Sequence, residues 1–133
     1  MQVRTLTGHS GDVTRVAFSH DGASNGSNVV VSASDDDSVR LWDVTSGRQV
    51  RQFAGNTFAL VEGLSAAHKR DRHVITADGD TLRIYECAEE QQHAVAFFKA
   101  PDGIASVQCV GATICVGCGD GAICILSAPF LAA

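Results

Sequence analysis

The stretch that decides the fold runs from Gly8 to Asp43: Gly8-His9, then Val13, Val16 and Phe18, then Ser32-Ala33-Ser34-Asp35-Asp36-Asp37-Ser38, closing on Val39-Arg40-Leu41-Trp42-Asp43. Short β-branched and apolar runs alternate with clusters of Gly, Asp, Asn and Ser. Helical periodicity is nearly absent, so the chain reads as all-β. Val13 to Ser19 alternates, with Val16 and Phe18 on one side. Val29 to Ser34 is a continuous apolar run that becomes small and polar, as in an inner strand covered on both faces. Asp35-Asp36-Asp37 predicts a tight turn into Val39 to Val44. Thr45-Ser46-Gly47 then turns the chain into Arg48 to Phe53, an outer strand.

The same order recurs twice downstream. Phe58 to Ala66, His73 to Ala77, Leu82 to Cys87 and Ala94 to Phe98 predict four further strands. Leu82-Arg83-Ile84-Tyr85-Glu86 parallels Val39-Arg40-Leu41-Trp42-Asp43 position by position. After the turn at Lys99-Ala100-Pro101-Asp102-Gly103, the residues Ile104, Val107 and Cys109 repeat the spacing of Val13, Val16 and Phe18. Ile114 to Gly117 and Ala122 to Leu126 complete a third unit, with Leu126 where the first has Trp42. A repeat of about 40–45 residues that opens on Gly-His and closes on Trp-Asp is the signature of a propeller blade.

On these residues the chain resembles the WD40-repeat β-propeller family. The resemblance implies blades of four antiparallel strands, about three in number: roughly 8–53, 55–99 and 101–127, with residues 2–6 as the outer strand of a neighbouring blade. It also implies a hydrogen-bonded set of His9, Ser32 (Ser34 is the alternative), Asp36 and Trp42. A buried imidazole and a buried indole N–H each need a partner, and a carboxylate can orient the imidazole. His9, Ser32 and Asp36 could be mistaken for a hydrolase triad; the family reading makes them structural and the protein no enzyme. In the second unit Thr76 and Asp78 are the counterparts that remain, and in the third only Asp120.

Composition narrows the function classes. The chain has 133 residues, 45% hydrophobic and 19% charged, with a net charge of −5, which suits a core-forming globular chain. Its densest basic patch, Lys69-Arg70-Asp71-Arg72-His73, is interrupted by Asp71, so nucleic acid is not an expected partner. Residues 100–133 hold no Lys or Arg and two Asp, which predicts a buried or paired segment. No run approaches the roughly 18 apolar residues that span a bilayer, and the N-terminus has no apolar signal core. Five cysteines, an odd number, predict a reducing compartment: the cytoplasm, with the nucleus as the alternative.

Cys109, Cys115, Cys118 and Cys124 are the other candidate chemistry, a metal or redox module. Zinc sites use two Cys pairs, or a pair plus spaced His, and here one C-x-x-C stands without a following His. Cys115 and Cys118 point to opposite faces if their strand continues that far. Buried cysteine is therefore the preferred reading, with no cofactor and no metal.

By resemblance, a partner-binding face falls near Asp12, Thr14 and Arg15, with Glu62 and Ser106 as counterparts in the other blades. The expected function is a non-catalytic protein–protein interaction scaffold that takes proteins or peptides. A regulatory or sensor propeller segment of a larger multidomain protein is the alternative. Propellers close with about 4–8 blades, so three leave open edges. A fragment of a longer propeller, a homodimer that exchanges terminal strands, and completion by another propeller segment are the three resolutions.

Overall fold

The computed structural model describes residues 4–18, 29–60, 73–86 and 94–129. Among these, eleven strands form three antiparallel sheets. The first joins β1 (Val13–Phe18), β2 (Val29–Ser34), β3 (Ser38–Asp43) and β4 (Arg48–Ala54) in sequence order. The second joins β5 (Thr57–Leu60), β6 (His73–Asp78), β7 (Thr81–Glu86) and β8 (Ala94–Lys99) in the same way. The third has β9 (Ile104–Val110), β10 (Thr113–Cys118) and β11 (Ile123–Ser127), with no strand beyond β11 among the described residues. Each sheet is one blade.

The sheets are copies in register as well as in order. β1 against β2 shifts between Val13 and Arg15, and β9 against β10 shifts beside Cys118, the matching place. β3 against β4 shifts between Leu41 and Trp42, and β7 against β8 between Ile84 and Tyr85. Such irregularities raise the local twist, so the repeat reproduces the blade's curvature along with its pairing. The turns differ. Three residues, 35–37, join β2 to β3, with Asp37 at φ 62, a left-handed conformation that a short polar side chain tolerates. Asp78 pairs directly with Thr81, so the second blade turns with two residues.

Two apolar cores lie between successive blades. Val31, Ala33, Val39, Leu41 and Phe53 of the first pack on Phe58, Val74 and Tyr85 of the second. Ala59, Ile75, Ala77, Leu82 and Ile84 of the second pack on Ile104, Val107, Cys109, Ile114 and Val116 of the third. Backbone bonds repeat at the joints: Gly55 N–H donates to Asp37 O (3.1 Å), and Ala100 N–H to Asp80 O (2.8 Å). Neither core joins the first and third blades.

Cover decides exposure, and equivalent residues show it. Val16, Phe58 and Val107 hold the same register position in the three blades, opposite Ser32, Thr76 and Val116. Phe58 is 0% exposed and Val107 2%, because each faces the preceding blade; Val16, on the first, is 64% exposed. Of the outer strand expected at 2–6, residues 4–6 are described and belong to no strand; Arg4 Nη1 instead donates to Ser46 O at 3.3 Å.

Packing between blades should therefore dominate stability. Phe58→Ala is expected to cost about 3–5 kcal/mol of unfolding free energy. Phe97→Ala, at a side chain 77% exposed on β8, should stay within about 0.5 kcal/mol. Urea unfolding followed by Trp42 fluorescence compares the two, and equal losses would contradict this account.

Candidate functional site

Period-2 alternation along β3 places Ser38, Arg40 and Trp42 on one face. The segment before β1 crosses that face and brings His9 onto it. Gly8 is the close approach: its φ is +155°, and a Cβ there would lie 2.7 Å from the Arg40 guanidinium and 3.0 Å from the Trp42 ring. The His9 and Trp42 rings meet edge to face at 6.0 Å between centroids.

A continuous hydrogen-bonded chain results. The Trp42 indole N–H can only donate, and it reaches Ser32 Oγ at 2.8 Å. Ser32 Oγ lies 2.6 Å from His9 Nε2, and His9 Nδ1 lies 2.9 Å from Asp36 Oδ2. Assigning the tautomer from this network, the Ser32 hydroxyl donates to Nε2 and the Nδ1 proton goes to Asp36. The remaining Asp36 lone pairs are filled: Ser10 N–H donates at 3.0 Å, Ser38 N–H at 3.0 Å and the Ser38 hydroxyl at 2.6 Å. Ser34 stands outside the chain and accepts the Asp36 N–H at 3.1 Å.

Burial pushes the Asp36 carboxyl up, but the bonds from Ser38, His9 and Ser10 outweigh it and hold the group well below the usual carboxylate range. Ser38 and Arg40 also belong to the set, and the family pattern had not named them: Arg40 Nε donates to Ser38 Oγ at 3.1 Å, and its Nη2 lies 3.7 Å from Asp36 Oδ2. The legible signal for them was their alternation with Trp42.

The other blades keep pieces of this set. Thr76 stands where Ser32 does, and its hydroxyl is fully buried with no hydrogen-bond partner among the described residues. Asp78 pairs with Arg83 at 3.5 Å near the surface, and Tyr85, in the place of Trp42, packs on Phe53 at 4.6 Å. In the third blade Asp120 Oδ1 accepts the Ala122 N–H at 2.9 Å, as Asp36 Oδ1 accepts that of Ser38.

The expected partner face is dispersed. Asp12 O accepts the Asp35 N–H at 2.9 Å, and Thr14 Oγ1 donates to Ala33 O at 3.3 Å. Arg15 donates to Phe58 O, with its guanidinium 4.5 Å from the centre of the Phe58 ring, so it bridges the first two blades. Ser106 is exposed on β9, where a Cβ on Gly117 would sit 2.8 Å from its hydroxyl. Glu62 lies outside the described residues.

The cysteines divide. Cys115 is exposed on β10, while Cys118, three residues along, is buried on the opposite face, in the core with Cys109 and beside Cys124. Burial, then the neighbouring Cys124, pushes the Cys118 thiol up, away from the thiolate that metal or redox chemistry uses. Among the described residues no three His, Cys, Asp or Glu side chains gather as a metal set.

Comparison with known proteins agrees with this architecture. The family model described as "WD domain, G-beta repeat" matches residues 1–43. The nuclear distribution protein PAC1 of Arthroderma otae is 36% identical over 87 residues, covering 63% of this chain and 19% of that protein. PAC1-2 of Uncinocarpus reesii is 43% identical over 58 residues, 41% of this chain and 13% of its own length. The chain thus spans about a fifth or less of the curated relatives it matches. Among solved structures, the RRP9 WD40 repeats superpose with a TM-score of 0.68 at 17% identity, covering 93% of this chain and 38% of that one, which speaks to the fold. The protein is a partial β-propeller. Its residues 1–43 match the WD40 repeat, and its fold is similar to that of solved WD40 repeats.

One register position should respond with opposite signs in two blades. Ser32→Ala strands the Trp42 N–H and should cost about 1–3 kcal/mol, whereas Thr76→Val, which removes an unpaired buried hydroxyl, should be neutral or stabilising by about 1 kcal/mol. Chemical denaturation of both variants measures the contrast. The depressed Asp36 pKa lends stability that is present at neutral pH and lost as pH falls below the ordinary carboxylate value toward the folded one. Asp36→Asn should be less stable at pH 7 and should lose less on acidification, read from melting temperatures between about pH 6 and 3.

Proposed function

We propose that the chain is a non-catalytic protein–protein interaction scaffold whose blades form part of a larger propeller assembly. WD40 domains generally mediate such interactions, and the chain shares their repeat and their fold. The observation that carries the reading is Arg15. Its guanidinium is fastened over the Phe58 ring, yet the residue stays exposed beside the inner strands, so a cation stands pre-positioned at the joint of two blades. Such a group recognises a carboxylate or backbone carbonyl of an extended peptide with little loss of side-chain freedom. Asp12, Thr14 and Ser106, with Glu62, make up the rest of the proposed face. The proposed compartment is the cytoplasm, with the nucleus as alternative.

The reading treats His9, Ser32 and Asp36 as structure. Ser32 Oγ is engaged by both the indole and the imidazole and the residue is buried, so no substrate carbonyl can approach it. The much greater length of the PAC1 relatives favours a second reading, a regulatory segment of a longer protein.

Peptides selected from a displayed random library on the immobilised chain test the first reading. Arg15→Glu should weaken their binding at least about tenfold, while Arg48→Glu on the outer strand should leave it unchanged. A library that yields no binders, or binders indifferent to Arg15, would remove the proposed face. The same preparations should show no ester hydrolysis that Ser32→Ala abolishes.

A further inference from the structure

A cavity of about 120 Å³ opens between β1, β5 and β9, one strand from each blade. Its origin lies in the repeat. Ala17, Ala59 and Gln108 hold one register position, opposite Val31, Ile75 and Cys115. Phe18, Leu60 and Cys109 hold the next, opposite Val30, Val74 and Ile114. All six line the cavity. Two of the three residues at the first position are alanine, and a methyl group there leaves space that a larger side chain would fill.

Arg15 and Gln108 stand apart from an otherwise apolar lining. Arg15 gives one donor to Phe58 O and rests on the Phe58 ring. A guanidinium carries five N–H donors, so most remain for a ligand. Among the described residues Arg15 has no carboxylate within ion-pair distance. Gln108 is exposed on β9, and its amide holds both donors and an acceptor. The rim is apolar as well: Phe18 and Val110 are 64% and 71% exposed.

Volume and charge together select the ligand. Small-molecule sites run to roughly 300–1,000 Å³, well above this cavity. At roughly 30 Å³ for each water it holds about four, the room of one aliphatic side chain. The unpaired cation calls for an anion, but a carboxylate inside the cavity would lie desolvated against Phe18, Leu60 and Val110. A C-terminal residue meets both demands, because one Cα carries the two groups. Its side chain enters the cavity while its α-carboxylate stays in water at the rim, within reach of a charge-assisted bond from Arg15.

We propose that the cavity between β1, β5 and β9 binds the free C-terminus of a partner that ends on valine, leucine or isoleucine. The aliphatic side chain lies against Ala17, Ala59 and Phe18, and the α-carboxylate takes hydrogen bonds from Arg15 and Gln108. The inference rests on the reading of the chain as an interaction scaffold with Arg15 in its binding face, and it names the ligand of that face.

Titration of the isotope-labelled chain, followed through its amide resonances, tests this with glycine–serine hexapeptides that end on leucine, either as the free acid or amidated. The free acid should shift signals of residues 15–18, 58–60 and 108–110 and bind at least about tenfold more tightly than the amide. A terminal glycine in place of leucine should cost about tenfold. In Arg15→Gln the acid and the amide should bind alike. Val110→Asp, at an exposed rim side chain, should weaken the acid about tenfold with the other resonances in place, and Ala17→Leu, which fills the cavity, should abolish binding. Should Ala17→Leu fail to fold, Val110→Asp decides. Equal binding of acid and amide by the wild type overturns the inference, as do no binding, shifts confined to other residues, or indifference to Val110→Asp. Library peptides that need Arg15 but bind equally well with blocked C-termini sink the C-terminal site and leave the binding face standing. Library binders indifferent to Arg15 sink both.

Discussion

Every blade here depends on cover for two apolar faces. An isolated antiparallel sheet can leave one side to water, and its strands then alternate apolar and polar. β2 and β6 do not alternate: Val31, Ser32, Ala33 and Ser34 are all buried, as are Val74, Ile75, Thr76 and Ala77. Such strands are stable only between two neighbours. The second blade has both within this chain, and its Phe58, Ile75 and Leu82 are fully buried. The first and third blades each have one, and their outer faces carry the exposed Val16, Phe18, Ile123 and Ile125. The exposure of these two faces follows from this packing rule before any binding site is considered.

The polar network of the first blade answers the same demand by other means. The face that carries Trp42 has no blade in front of it in this chain, yet Trp42 is buried. The loop through Gly8 and His9 covers it, and the hydrogen bonds to Asp36 and Ser32 hold that loop in place. A carboxylate buried for this purpose needs several donors, and Asp36 receives them from Ser10, Ser38 and His9. The second blade meets an apolar neighbour on this face and needs no such device. There Tyr85 lies on Phe53, and the hydroxyl of Thr76 has no hydrogen-bond partner among the described residues.

The strands were legible in the sequence because turn residues bracket them. Asp35-Asp36-Asp37, Thr45-Ser46-Gly47 and Gly119-Asp120-Gly121 each fall between paired strands. The network of His9, Ser32, Asp36 and Trp42 was legible through resemblance, and period-2 alternation adds Ser38 and Arg40 to it. Exposure was not legible. Val16, Phe58 and Val107 have similar hydropathy and the same place in the repeat, and only the presence or absence of a preceding blade separates them. Nor was the bridge from Arg15 to Phe58, because a contact across 43 residues leaves no local spacing to read.

The match of the family pattern to residues 1–43 has a physical reason. A repeat pattern is strongest where residue identity is forced, and identity is forced by directional chemistry: an indole that must donate, an imidazole that must be oriented, a turn that needs a carboxylate. Apolar packing forces only volume, and volume can be met by many residues. The second and third blades retain volume, with Tyr85 and Leu126 in the place of Trp42 and Val116 in the place of Ser32. They keep the blade's register and lose its signature. Their dependence on neighbours is the consequence, since a blade without an internal network derives its order from the sheets that cover it.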